Sequence, residues 1–154
     1  SIQKNHTSTH LLQFALKKIL GNHIEQRGSM LTEDIFRFDF SHQSKLSDKE
    51  LNDVEELVKS LIKDEIQCVE DREANYNDAL NAGAIGLFSE KYGDIVRTIK
   101  FGESYELCGG THVNNTREIQ DFKIISEGSQ AFGIRRITAS SNEIRIKEEQ
   151  LKDQ

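Results

Sequence analysis

In the stretch Ile35-Phe36-Arg37-Phe38-Asp39-Phe40, phenylalanine alternates with charged residues. Successive side chains of a strand point to opposite faces, so Phe36, Phe38 and Phe40 share one side and the stretch reads as a half-buried strand. A sheet with one apolar face needs a cover, and the flanking sequence supplies it. On the N-terminal side, Leu11, Leu12, Ala15, Leu16, Ile19 and Leu20 fall at one-face helical spacing, which predicts an amphipathic helix from about Thr7 to Gly21. Gly21-Asn22 supplies its C-cap. On the C-terminal side, Ser47-Asp48-Lys49-Glu50 is a capping-box pattern. It opens a second helix in which Leu51, Val54, Leu57, Val58, Leu61 and Ile62 share a face.

Further out, Ile66 to Glu70 reads as a strand and Asn77 to Asn81 as a short helix ending at Gly83. The apolar run Ala84 to Phe88 fits a buried turn or strand. Asp94 to Phe101 reads as a strand with Ile95, Arg97, Ile99 and Phe101 on one side. Phe122 to Ser126 and Ile134 to Ala139 read as strands joined by the turn Glu127-Gly128-Ser129. Glu143 to Lys147 reads as a short strand or fraying end. Two well-marked helices and about six strands, interspersed, predict an α+β fold with a mostly antiparallel sheet and helices packed on one face.

The 154 residues fit one domain, expected to span 1–154, and can bury a core without disulfide staples. No window approaches 18 consecutive apolar residues, which excludes a membrane-spanning helix. Ser1 to His6 holds no apolar core of a signal peptide. Two cysteines, Cys68 and Cys108, make no disulfide framework, and the cytoplasm is the expected compartment. The opening without an initiator Met, in mid-pattern, reads as a domain excised from a longer chain. A net charge of -6 and a pI near 5.4 give no general electrostatic grip on nucleic acid. A nucleic-acid partner would have to be held by a local patch or by parts of a larger protein.

The chemistry concentrates in two pairs at one spacing. His6 and His10 stand at i and i+4, on one helical face. Cys108-Gly109-Gly110-Thr111-His112 repeats the spacing, with two glycines expected to let the backbone turn tightly. Three imidazoles and a thiolate are a natural tetrahedral set for Zn²⁺, one ion per chain. Of the other histidines, His23 reads as exposed and His42 as a hydrogen-bonded structural residue. Cys68 reads as a small buried hydrophobe.

These motifs carry a resemblance. Asn5-His6-Thr7-Ser8-Thr9-His10-Leu11-Leu12, Gln26-Arg27-Gly28-Ser29 and Arg37-Phe38-Asp39-Phe40-Ser41-His42 resemble the editing domain of alanyl-tRNA synthetases. So do, in order, Leu87-Phe88-Ser89-Glu90-Lys91-Tyr92-Gly93-Asp94, Glu106-Leu107-Cys108-Gly109-Gly110-Thr111-His112-Val113 and Gly133-Ile134-Arg135-Arg136-Ile137. Free-standing alanyl-editing proteins and the threonyl-tRNA synthetase editing domain share the His-x₃-His and Cys-x₃-His theme. The Cys-Gly-Gly-Thr-His form favours the alanyl type within a full synthetase.

The resemblance implies an aminoacyl-tRNA deacylase that removes serine or glycine from the acceptor end of the alanine tRNA. It implies His6, His10, Cys108 and His112 as zinc ligands, with Gln26 and Cys108 as the candidates at the reacting centre. Thr7 and Thr9 flank the ligands and are candidates for holding a serine hydroxyl. Arg135 and Arg136 are candidates for acceptor-end phosphates, although only one of two neighbours on a strand can face a given site. The expected partners are the tRNA acceptor end and the remainder of the synthetase chain, with no membrane. The rival readings are a structural zinc module that binds RNA or protein without catalysis, a threonyl-type or free-standing deacylase, and a zinc hydrolase of small metabolites.

Overall fold

The structure is a computed structural model that describes residues 2–86 and 92–153. Its elements are helix α1 (Ile2–Leu20), strands β1 (Gln26–Leu31) and β2 (Phe36–Ser41), helix α2 (Asp48–Lys63), strand β3 (Cys68–Asn75) and helix α3 (Tyr76–Asn81). Strands β4 (Ile95–Phe101) and β5 (Ser104–Leu107), a 3-10 turn at Thr116–Ile119, strands β6 (Lys123–Ala131) and β7 (Ile134–Ser140) and helix α4 (Glu143–Lys152) follow. The α+β expectation holds, with antiparallel pairing in both sheets. The single sheet does not: the strands form a four-stranded sheet, β1-β2-β7-β6, and a three-stranded one, β3-β4-β5.

Phe36, Phe38 and Phe40 are fully buried, as their alternation requires. They cover one face of the larger sheet, and Leu11, Leu12, Leu16, Val54 and Val58 from α1 and α2 join them in one core. Ile99 and Phe101 of β4 belong to the same core, so α1 is enclosed by both sheets. A second apolar cluster, Ala79, Ala84, Val96 and Leu107, seats the smaller sheet. Phe38 sits in mid-strand opposite Ile137, both with no exposure. Phe38→Ala is therefore expected to cost about 3–5 kcal/mol of stability, read as a lower urea midpoint with little change in slope.

Helix α1 starts five residues before the expected Thr7. Its first turns carry polar side chains whose partners are tertiary, a pattern that hydrophobic periodicity cannot mark. The Asn5 side-chain amide donates to the Thr32 carbonyl at 2.8 Å and accepts from the Ser141 N–H at 2.8 Å. The Ser8 and Ser141 hydroxyls lie 2.6 Å apart. At α2 the expected capping box is present: Ser47 accepts from the Glu50 N–H, and the Glu50 carboxylate accepts from the Ser47 N–H.

Four local expectations are corrected. Gln26–Leu31 and Ser104–Leu107 are strands that the sequence did not mark. Glu127-Gly128-Ser129 lies inside β6, and the chain reverses at Phe132-Gly133, where Gly133 takes a left-handed φ of 72°. Glu143–Lys152 is a helix capped by the Asn142 side chain, which accepts from the Arg145 N–H, rather than the short strand or fraying end expected there. Leu87 and Phe88, the end of the expected apolar run, lie outside the described residues. No helix among the described residues is long and apolar enough to cross a membrane.

Candidate metal centre

The two ends of the motif meet by separate routes. Residues His6 and His10 project from one face of α1, one turn apart. Ser104 and Glu106 pair with Phe101 and Ile99, so they face the core side of the smaller sheet, towards α1. A two-residue reversal, with Gly102 at φ 61°, joins β4 to β5 and sets that register. Cys108 comes next on the same alternation, and His112 returns four residues later.

The ligand atoms of His6, His10, Cys108 and His112 all lie within 4.8 Å of one another. The Cys108 Sγ is 3.4 Å from His6 Nε2 and 3.6 Å from His112 Nε2. The Nε2 atoms of His10 and His112 are 2.7 Å apart. Two of the rings are oriented from behind. His6 Nδ1 lies 2.9 Å from the Thr111 carbonyl, so Nδ1 carries the hydrogen and Nε2 is free to coordinate. His10 Nδ1 lies 2.5 Å from the buried Glu106 carboxylate, with the same consequence. His112 Nδ1 is buried with no hydrogen-bond partner among the described residues. Convergent imidazole nitrogens and a sulfur, two of them backed by acceptors, are the donor chemistry of a tetrahedral metal site.

Burial pushes the Cys108 thiol up, but hydrogen bonds from His10, His112 and His6 outweigh it and hold the thiol down to about 3. Burial works against a charged His10, yet Glu106 and Cys108 raise it to about 10. His112 is lowered, chiefly by burial. The cluster therefore presents a thiolate, the form in which cysteine binds metal.

The two glycines of the loop act differently from expectation. Neither takes a left-handed φ. A side chain at Gly110 would penetrate the His6 ring, whereas Gly109 has open space around its α-carbon. Gly110 is needed for the close passage of backbone over a ligand, not for a turn.

The cluster borders a cavity of about 440 Å³ whose wall includes Thr9, Gln26, Ser29, Leu31, Tyr92, Val96, Arg97 and Leu107. Gln26 reaches it through a bulge. Strand β1 pairs Gln26 with Phe40 and Ser29 with Phe38, with a register shift between Gln26 and Gly28. The extra residue brings Gln26, Ser29 and Leu31 to the same face, which strict alternation would forbid.

The other candidates fall elsewhere. Thr9 borders the cavity, but its hydroxyl donates to the Asn5 carbonyl at 2.9 Å. Thr7 is fully buried, accepts from the Val113 N–H at 3.1 Å and does not reach the cavity. It ties α1 to the loop that carries His112. Arg135 and Arg136 face opposite sides of β7, as expected of neighbours. Arg135 forms a two-pronged pair with Glu127, and Arg136 one with Asp39; neither borders the cavity. His23 is exposed and His42 is hydrogen-bonded to it at 2.8 Å, apart from the cluster.

Glu106 and Arg97 were missed by sequence reasoning. Glu106 lay in a quoted motif, and only the alternation Glu106, Cys108 could have indicated it. Arg97 donates to the Gly109 carbonyl at 2.9 Å and pairs with Glu70 at 2.6 Å, which braces the loop. Glu106→Gln keeps the shape but replaces the carboxylate behind His10. It is expected to weaken metal affinity by about 10–100-fold, measured by competition with a chromogenic chelator.

Comparison with known proteins agrees with the motifs. Residues 96–138 match the family described as the threonyl and alanyl tRNA synthetase second additional domain. Over 139 residues the chain is 55% identical to the alanine–tRNA ligase of Flavobacterium psychrophilum, covering 90% of this chain and 16% of that protein. It is 53% identical over 143 residues to that of Christiangramia forsetii, covering 93% and 16%, and 49% identical over 139 residues to that of Wolbachia pipientis, covering 90% and 16%. The chain thus spans about one sixth of the length of the relatives it matches. With the Cys/His₃ cluster assembled as its motifs require, the chain belongs with the editing-type domain of alanyl-tRNA synthetases.

Proposed function

We propose that this chain hydrolyses the ester of serine or glycine wrongly attached to the 3′-terminal adenosine of the alanine tRNA. In this reading residues 1–154 form one deacylase domain of a cytoplasmic synthetase. One zinc ion is held by His6, His10, Cys108 and His112, between α1 and the Gly109-Gly110 loop. The observation that carries the reading is that three members of the four-donor cluster, His6, His10 and Cys108, share the wall of one cavity with Gln26.

The need for such a site is physical. A pocket that accepts alanine cannot exclude glycine by size and rejects the added hydroxyl of serine poorly, so a second, hydrolytic sieve is required. An ester is already activated, and the site has to place a water and stabilise developing negative charge. When bound, the zinc ion supplies a fixed positive charge and Lewis acidity. Gln26 offers an amide that donates and accepts, suited to orienting the water or the ester. Thr9, on the same wall, is the group nearest in kind to a serine side chain. Leu31, Val96 and Leu107 give the wall its apolar surface. Thr7, Arg135 and Arg136 are not assigned contact with the ester, because none of them borders the cavity.

Four protein ligands also fit a closed structural site, and this favours the rival of a zinc module without catalysis. Single-turnover deacylation of Ser-tRNA, Gly-tRNA and Ala-tRNA, with metal content measured on the same protein, separates the two. Hydrolysis of the first two with Ala-tRNA spared supports the proposal. A fully metal-loaded chain that leaves all three intact establishes the structural module instead.

A further inference from the structure

Gln26 borders two cavities. One is the cavity at the metal cluster; the other, of about 190 Å³, is lined by Lys17, Asn22, Glu25, Gln26, Ile85 and Gly86. Helix α1 serves both. Lys17 follows His10 by seven residues, nearly two full turns, so it stands on the same stripe of the helix about 10.5 Å further along the axis. The cations nearby are already engaged: Lys18 with Glu103 at 3.8 Å, and Arg27 with Glu25 at 3.7 Å. Half-buried Lys17 enters no ion pair among the described residues, which leaves its ammonium available to an anion. Asn22 and Gln26 add side-chain amides to the same cavity.

We propose that the smaller cavity receives the ribose-phosphate of the RNA's terminal nucleotide, with Lys17 facing its 5′-phosphate. The aminoacyl group then occupies the metal-side cavity, and the ester lies at Gln26 where the two meet. This rests on the deacylase reading and adds to it the direction in which the RNA enters. It also gives a chain of net charge -6 a local means of holding a polyanion next to the scissile bond. A single lysine supplies modest affinity, so the effect belongs in KM rather than kcat.

The test compares two small substrates that differ only in the phosphate, 3′-O-seryl-adenosine and its 5′-phosphate. Lys17→Ala is expected to raise KM for the phosphorylated ester about tenfold, leave kcat unchanged and leave the unphosphorylated ester untouched. Lys17→Arg should restore most of the loss. Equal effects on both esters, or none on either, overturn the inference while the deacylase reading stands. If the wild-type chain hydrolyses neither ester, the deacylase reading is decided by Ser-tRNA as above, and the inference is decided by binding. A labelled single-stranded RNA ending in CCA should then bind Lys17→Glu more weakly, with a salt-dependence slope smaller by about 0.7. An unchanged affinity and slope overturn the inference there too.

Discussion

Replacing Cys108 with alanine is expected to remove the bound metal and the hydrolysis together. The sulfur lies at 3.4 Å and 3.6 Å from two histidine nitrogens, and nothing else among the described residues offers a thiolate to the cluster. Apparent binding energies of structural zinc run to about 10–16 kcal/mol over four donors, so one donor is worth about 3 kcal/mol, roughly a hundredfold in affinity. Metal analysis after dialysis should find about one zinc per wild-type chain and little in Cys108→Ala, with Ser-tRNA deacylation lost in proportion. Adding excess zinc should recover part of both. A variant that keeps its metal and its rate would remove Cys108 from the site. Acid should have the same effect for a different reason. Cys108 is held down to about 3, so its thiolate survives mild acidification. His10, raised to about 10, is protonated at neutral pH in the unloaded chain. Metal binding must displace that proton, so loading should release acid and occupancy should fall as pH falls. Occupancy that stays flat from neutral to acid pH would contradict this ligand set.

How much of this was legible in the sequence depended on whether a signal was local. The alternation of Phe36, Phe38 and Phe40 and the Ser47 capping box each act within a few residues, and both are present in the fold. The i, i+4 spacing of each pair is equally local, and it picked out the four side chains that converge. That the pairs meet could be inferred only from chemistry, since the contact spans about a hundred residues. The failures came where neighbours in space decide. Ile144 and Ile146 alternate with charged residues over a short run, which mimics a strand, but Asn142 caps a helix there and only one of the two isoleucines is buried. Glu127-Gly128-Ser129 has turn composition, yet pairing with Ile137, Arg136 and Arg135 holds it extended. Glu106 looks like an ordinary strand carboxylate until the β4–β5 register turns it inwards onto His10. Arg135 and Arg136 look available to RNA, but each is closed by a carboxylate from an adjacent strand.

Gln26→Ala is expected to slow Ser-tRNA deacylation by about 10- to 1000-fold, the scale for losing one positioned hydrogen-bond group, with the metal retained. Gln26 has no ionisable group, so it cannot be a general base, and its contribution must be orientation. Its position explains why orientation is plausible there: the β1 bulge turns it to the face that carries Phe40, and it borders both the metal-side cavity and the smaller one beside Lys17. It is half-exposed and is not among the metal donors, so its removal should leave the core and the metal content intact. The measurement is a single-turnover rate for wild type and variant, with zinc quantified in both and unfolding followed in urea. A slowed chemical step with full metal and unchanged stability places Gln26 at the reacting centre. An unchanged rate assigns it to shaping the bulge alone. A rate loss that tracks metal loss shows that the substitution disturbed the wall rather than the chemistry. Gln26→Glu sharpens the distinction. It keeps the size and the acceptors but loses the donor and adds negative charge where the carbonyl oxygen becomes anionic, so it should be slower than Gln26→Ala if the amide donates to that oxygen. If the amide instead accepts from the water, the carboxylate can take that role, and Gln26→Glu should retain more activity than Gln26→Ala.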